Sequence, residues 1–309
     1  MSAHALPRNT AILLLTIVIA AWGINWTVGK AVLQHLAPIW ATALRMAPAC
    51  LALWVLCAAS GRLAVPVRGD VPVILSVALL HMVAFGVLTS IALQYLPAGR
   101  SVVLAYTTPL WVLPAARVFL GEAFTAPRAA GSLLGLAGLV VLLQPAAVDW
   151  SADGVLLGHA LILLAAACWA ACIVYGRAHR WITPPFELLP WQTLLAGVVQ
   201  ALLALCVEGV PRIVWSGELV GLLGYSSLIG TVLAYWAMNT VNRGLPASVT
   251  SMALLGVPVV GLLGAGVMLG ERPDAILLLA TVLIMAGIAL GTRGGHAEGK
   301  GAAPAGARP

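Results

Sequence analysis

Arg45 and His81 each stand deep in a stretch that is otherwise apolar. A polar or ionisable group in such a place costs several kcal/mol unless it meets water or a partner. A guanidinium cannot escape by losing its proton. Arg45 is therefore either a docking group for a carboxylate or phosphate, or an arginine that snorkels outward or bonds helix carbonyls. An imidazole can gain or lose a proton near neutral pH, which makes His81 the candidate for proton coupling or ligand contact. The other reading of His81 is a neutral ring satisfied by a backbone carbonyl. Trp22, Asn25 and Trp26 recur at offsets of three and four, so they share one side of a helix. With Tyr106, Trp169 and Tyr235 they complete the candidate binding set: Trp22, Asn25, Trp26, Arg45, His81, Tyr106, Trp169 and Tyr235. For the two tryptophans Trp22 and Trp169, walls of a cavity and ordinary helix packing both fit. Gln94, Thr107, Thr108, Gln192 and Asn239 are further polar residues within apolar runs.

What is missing also bears on the chemistry. No Asp or Glu lies deep in an apolar run, so a buried carboxylate shared between a proton and a cationic compound is not to be had. Zwitterionic, anionic or neutral ligands fit better, with Arg45 supplying the positive charge. No motif calls for a metal or a cofactor. The five cysteines lie in apolar stretches without C-x-x-C spacing and read as packing thiols.

The elements that hold these residues follow from composition. Only 8% of the 309 residues are charged and 61% are hydrophobic, with a mean hydropathy of +1.03. A soluble fold so apolar would lack the polar surface to cover its core. The chain reads as a polytopic membrane protein, its main partner the lipid bilayer. The net charge of +6 does not indicate nucleic acid, because the basic residues are scattered singly between apolar runs rather than clustered.

A membrane helix needs about 20 mostly apolar residues. Ten such segments are present: Thr10–Leu33, Pro38–Ser60, Val71–Tyr95, Ser101–Leu120, Ala126–Gln144, Val155–Gly176, Phe186–Val207, Leu219–Val241, Ala247–Leu269 and Ala275–Gly291. The fold class expected is all-α, with ten transmembrane helices. The tail from 292 to 309 is rich in Gly, Ala and Pro and reads as disordered. With the N-terminus inside, eleven Lys/Arg fall in inner loops and ends against four outside. That bias places both termini in the cytoplasm.

The two halves resemble each other. Ala20–Lys30 lies over Ala167–Arg177, aligning Trp22 with Trp169. Pro97-Ala98 matches Pro246-Ala247, Pro109 matches Pro258, and Leu120-Gly121-Glu122 matches Leu269-Gly270-Glu271. Each copy has five spans, an odd number, so the second enters the membrane from the opposite side. Such an inverted repeat provides two states of similar energy, one open to each face, as alternating access requires. Pro109 and Pro258 sit in helical runs where each frees a carbonyl and permits a bend, and both are candidate hinges. Glu122 and Glu271 read as helix-end residues, with Arg128 and Arg272 near them.

The W-G-x-N-W start at Trp22, the L-x-x-L-P-A-G-R-S segment Leu93–Ser101, the Thr-Pro before Leu110 and the repeated Leu-Gly-Glu resemble the EamA-type branch of the drug/metabolite transporter superfamily. The resemblance covers nearly all of residues 10–291, with one five-helix repeat at 10–144 and the second at 155–291. It implies a central cavity and export of small metabolites, often amino acids, from the cytoplasm across a bacterial inner membrane. An uncoupled facilitator and a broad-specificity drug efflux protein share the same fold and remain open. So do the monomer and the homodimer. An intramembrane serine enzyme is disfavoured: Ser226 has a weak Gly-x-Ser context, and the only later histidine is His296 in the tail. No G-x-x-x-x-G-K-[ST] run is present to drive transport by nucleotide hydrolysis.

Overall fold

The computed structural model describes residues 8–122, 125–144, 148–244, 250 and 253–293, and no strand occurs among them. Eight helices are long and apolar enough to cross a membrane: α1 (Asn9–Val32), α2 (Pro38–Ala59), α3 (Arg68–Tyr95), α4 (Ala98–Leu120), α5 (Ala126–Leu143), α6 (Val155–Ala178), α7 (Pro185–Val207) and α8 (Gly217–Val241). Two shorter apolar helices follow, α9 (Gly256–Leu269) and α10 (Ala275–Gly291). The expected start of the ninth segment at Ala247 and the tail from residue 294 lie outside the described residues. Large apolar side chains such as Leu51, Val118, Phe119 and Val267 are exposed on the outer faces. In water such a surface would be sticky, and in lipid it is ordinary.

Local sequence explains the ends. Pro38 and Pro127 occupy the first turns of α2 and α5, where a missing N–H costs nothing. Gly121 and Gly270 close α4 and α9 at φ +66° and +68°, a left-handed conformation that a residue with Cβ adopts only under strain.

The halves interlock rather than sit side by side. α1 packs against α8 and α9, and α6 packs in the same manner against α3 and α4. α2 lies along α7 and α5 along α10. The last of these seams is built on glycine. A Cβ on Gly131 would lie 2.4 Å from the Gly287 carbonyl oxygen, and one on Gly287 would lie 2.5 Å from the Gly135 nitrogen. Small residues let membrane helices approach backbone to backbone.

Two irregularities recur in both halves. Val77–Phe85 in α3 and Tyr225–Leu233 in α8 are wound as π-helix, starting 148 residues apart. α4 breaks at Tyr106 and Thr107, and the chain ahead of α9 breaks at Leu254 and Leu255, again 148 residues on. At the first break Thr107 Oγ1 donates to the Leu104 carbonyl at 2.6 Å and Thr108 Oγ1 donates to that of Ala105 at 2.7 Å. The second of these satisfies the carbonyl that Pro109, lacking an N–H, leaves free. Pro109 and Pro258 thus stand in the first turn after each break, in helices restarted by it.

Buried and half-buried carboxylates tie the ends of the bundle together across the halves. Asp70 accepts backbone N–H bonds from Ile182 (3.2 Å) and Thr183 (2.9 Å). Glu208 accepts from Ile39 (2.8 Å) and Trp40 (2.9 Å). Glu271 accepts from Ala98 (2.7 Å) and Gly99 (2.9 Å). Glu208 and Glu271 sit where a helix N-terminus offers spare donors and partial positive charge, and Asp70 binds two residues of the connection just ahead of α7. Glu122 pairs with Arg177 and, at 3.6 Å, with Arg128. Lys30 donates to the carbonyls of Leu93 and Leu96 at the end of α3. These contacts sort the connections into two sets: those after α2, α4 and α6 at one end, and those after α1, α3, α7 and α9 at the other. The two Leu-Gly-Glu turns therefore lie at opposite ends of the bundle.

Candidate functional site

Where the first helix of each half enters the other half, a hollow remains. It holds about 1140 Å3 of atom-free space, its open mouth included. Trp22, Asn25, Trp26, Arg45, His81, Tyr106, Trp169 and Tyr235 all line it, so the structure brings the whole expected set into one wall. Both π-helical segments contribute as well, through His81, Met82 and Phe85 from α3 and through Ser226, Gly230 and Thr231 from α8. Wide turns of this kind are often found at functional sites.

Arg45 projects from α2. Its Nε is buried and has no hydrogen-bond partner among the described residues. Its own carbonyl accepts a bond from Ser227 Oγ at 2.8 Å, which ties α2 to the π-segment of α8. Space for the guanidinium comes from Gly86, where a Cβ would lie 3.6 Å from Arg45 Nη2 and 3.3 Å from Gln200 Nε2. Among the described residues Arg45 is the one Lys, Arg, Asp or Glu that lines the hollow.

His81 lies parallel to Trp169, with ring centroids 5.3 Å apart and an interplanar angle of 6°. Its Nδ1 stands 3.4 Å from the Tyr235 hydroxyl, a long hydrogen bond in place of the backbone carbonyl that the alternative reading supplied. Further ring contacts join Tyr235 to Trp22 (5.9 Å), Trp169 to Tyr106 (5.9 Å) and to Phe85 (5.2 Å), and Phe85 to Trp26 (6.2 Å). Edge-to-face and offset arrangements at these separations are mutually attractive.

In one direction the hollow reaches Val32, Ala41, Leu93 and Leu223, towards the end of the bundle that carries Lys30, Glu208 and Glu271. In the other direction it ends at Trp22 and Tyr235. Beneath them Leu14, Leu15, Val18, Ala237 and Val241 pack into a solid apolar cluster.

Some polar residues from the sequence lie elsewhere. Gln192 is buried away from the hollow, Gln94 is exposed, and Thr107 and Thr108 spend their hydroxyls on the break in α4. Conversely, Phe85, Thr231 and Gln200 escaped the sequence reading. Gln200 is fully buried and donates to the Met82 carbonyl in the π-segment at 2.8 Å. The rule that flagged Gln192, a polar group in an apolar run, applies equally to it.

A lipid-facing helical bundle with a singly charged internal hollow at the junction of two similar halves is built as a membrane transporter. The family model described as the EamA-like transporter family matches the chain twice, over residues 9–144 and 156–293, and the chain belongs to that family. It is similar to a probable amino-acid metabolite efflux pump of Salmonella typhimurium, with 26% identity over 88% of this chain and 91% of that protein. It is also similar to the uncharacterized inner membrane transporter YedA of Escherichia coli, with 29% identity over 94% and 92%. A solved crystal structure shares the fold with a TM-score of 0.65 at 22% identity, covering 92% of this chain and 96% of that one.

Proposed function

We propose that this protein is a secondary transporter that exports small metabolites, amino acids and related zwitterionic or anionic compounds foremost, across a bacterial inner membrane. In this reading α1–α10 are ten spans arranged as two inverted five-helix repeats with both termini cytoplasmic. The observation that carries it is the internal hollow with Arg45 in its wall at the junction of the two similar halves, which is where a carrier built from repeats places its site. On the charge bias of the loops the end near Val32 and Leu223 faces outward, and export requires the hollow to open past Trp22 and Tyr235 towards the cytoplasm. The breaks before Pro109 and Pro258 are the places where α4 and α9 would bend. The efflux-pump name of the Salmonella relative and the inner-membrane name of the Escherichia coli relative support direction and location.

The test is counterflow in proteoliposomes loaded with a panel of amino acids and organic acids. Exchange above that of empty liposomes for at least one compound, lost in Arg45→Gln at equal protein content, is the expected result. Exchange equal to wild type in that variant overturns the role of Arg45, and no exchange of any compound overturns the carrier reading.

A further inference from the structure

The hollow has a pronounced chemical character that the carrier reading does not use. Seven rings form an unbroken belt around it, running from Trp22 through Tyr235, His81 and Trp169 and from there to Tyr106 and, by Phe85, to Trp26. Aromatic belts attract two different kinds of guest. One is a planar ring, which gains offset or edge-to-face contacts. The other is an organic ammonium ion, which is drawn to the negative faces of the rings.

Charge decides between them. Arg45 lines the hollow, and no carboxylate does so among the described residues. An ammonium guest would therefore sit beside a guanidinium with no counter-ion, whereas an anionic guest meets a fork of N–H donors that suits a carboxylate in two-point fashion. Four of the hydroxyls that line the hollow are committed elsewhere. Thr42, Thr89, Ser90 and Thr231 already donate to the carbonyls of Ile39, Phe85, Pro38 and Ser226. A zwitterion fares less well than a plain acid. Its ammonium group finds no lining carboxylate, only the single unpartnered amide oxygen Asn25 Oδ1, which is buried beside Gly230.

Resting on the carrier reading above, we infer that the preferred cargo is an organic acid with a planar aromatic ring, its carboxylate paired with Arg45 and its ring seated against the belt between Trp22 and Trp169.

Three probes share the indole ring and carry an acid, an amino acid and an amine on a one- or two-carbon side chain: indole-3-acetate, tryptophan and tryptamine. Octanoate adds a carboxylate on an apolar body without a ring. Binding of radiolabelled indole-3-acetate to the full-length protein in detergent micelles, read by equilibrium dialysis, is competed with the other three. Tryptophan is expected to compete several-fold more weakly than unlabelled indole-3-acetate, octanoate at least tenfold more weakly, and tryptamine hardly at all. Arg45→Gln should lose at least tenfold in affinity. Arg45→Lys, which keeps the charge without the fork, should lose less and covers the case in which the glutamine variant does not fold. Tryptamine or octanoate competing as well as indole-3-acetate overturns the inference, as does undiminished binding in Arg45→Gln. Absence of indole-3-acetate binding, while proteoliposomes still exchange another metabolite, overturns the cargo and leaves the carrier. Binding without any exchange overturns the carrier and leaves the ligand class.

Discussion

The imidazole of His81, on α3, lies flat against the indole of Trp169, on α6, with 5.3 Å between their centroids. The first residue belongs to the first half of the chain and the second to the other. The stack is therefore a contact between the repeats at the level of the hollow, and the Tyr235 hydroxyl meets the edge of the same imidazole at Nδ1. Any movement that opens a path between Trp22 and Tyr235 disturbs this group, which places the histidine where a proton and a conformational change are linked.

Assigning the coupling proton to His81 has a specific consequence. In His81→Gln, counterflow at equal pH on both sides should persist within about threefold of wild type, while accumulation driven by an imposed pH gradient should disappear. Radiolabelled substrate retained in the proteoliposomes reads the second quantity directly, with an internal fluorescent pH indicator reporting the gradient. Gradient-driven accumulation equal to wild type would remove His81 from the coupling step.

Replacing Arg45 by Gln should depress uptake of anionic substrate into inverted membrane vesicles at least tenfold, the loss of one charge-assisted pair of about 1.5–3 kcal/mol. Quantitative immunoblotting establishes that equal protein is present. The lone guanidinium is costly to keep in an apolar setting, so its removal should leave thermal stability unchanged or raised.

The two Leu-Gly-Glu turns provide a test of topology. In a background without the five native cysteines, Ala126→Cys follows the first turn and Arg272→Cys lies just after the second, both at exposed positions. A membrane-impermeant maleimide applied to whole spheroplasts should label Arg272→Cys alone, and applied to inverted vesicles should label Ala126→Cys alone. Labelling of both from the same side contradicts the inverted arrangement.

Glu271 holds two backbone N–H groups at the start of α4. Glu271→Ala leaves both donors without their acceptor and should cost about 1–2 kcal/mol, the usual value of a lost cap. Differential scanning fluorimetry in detergent should show a lower apparent Tm, and Glu271→Gln, which can still accept one bond, should fall in between.

The α5–α10 seam should be less forgiving. Gly131→Val puts its new atoms into the backbone of the facing helix, where a Cβ alone already lies 2.4 Å from an oxygen. No flexible side chain is available to move aside, so the seam must open along its length. The yield of monodisperse protein by size-exclusion chromatography should collapse, whereas Gly221→Val, where a Cβ would meet nothing within 4 Å, should leave it near wild type.

Much of this architecture is visible in the amino-acid string because a lipid environment writes in a simple code. Runs of about 20 apolar residues mark helices, and the expense of hiding a polar group makes Arg45 and His81 stand out. The same logic collected Asn25, Tyr106 and Tyr235, while helical spacing and the match between the halves added Trp22, Trp26 and Trp169, and all six line the hollow. What the string conceals is register. A π-turn changes which residues face inward, so Phe85 and Thr231 could not be placed from a 3.6-residue period, although both belong to the wall. Asp70, Glu208 and Glu271 lie in or beside connecting segments. Their role as caps depends on which helix start of the opposite half arrives within reach, and no local pattern records that.

Those caps have a consequence for how the molecule changes shape. Each one joins an anion to amide donors at the rim of the bundle, where bulk solvent stands ready to hydrate every group that is released. Parting the halves at a rim therefore exchanges one set of hydrogen bonds for another, and the net cost is small. At the waist, around Trp22 and Tyr235, no such substitute solvent is at hand. The resistance to rearrangement is concentrated there, and the rims serve as latches that yield to whichever way the waist turns.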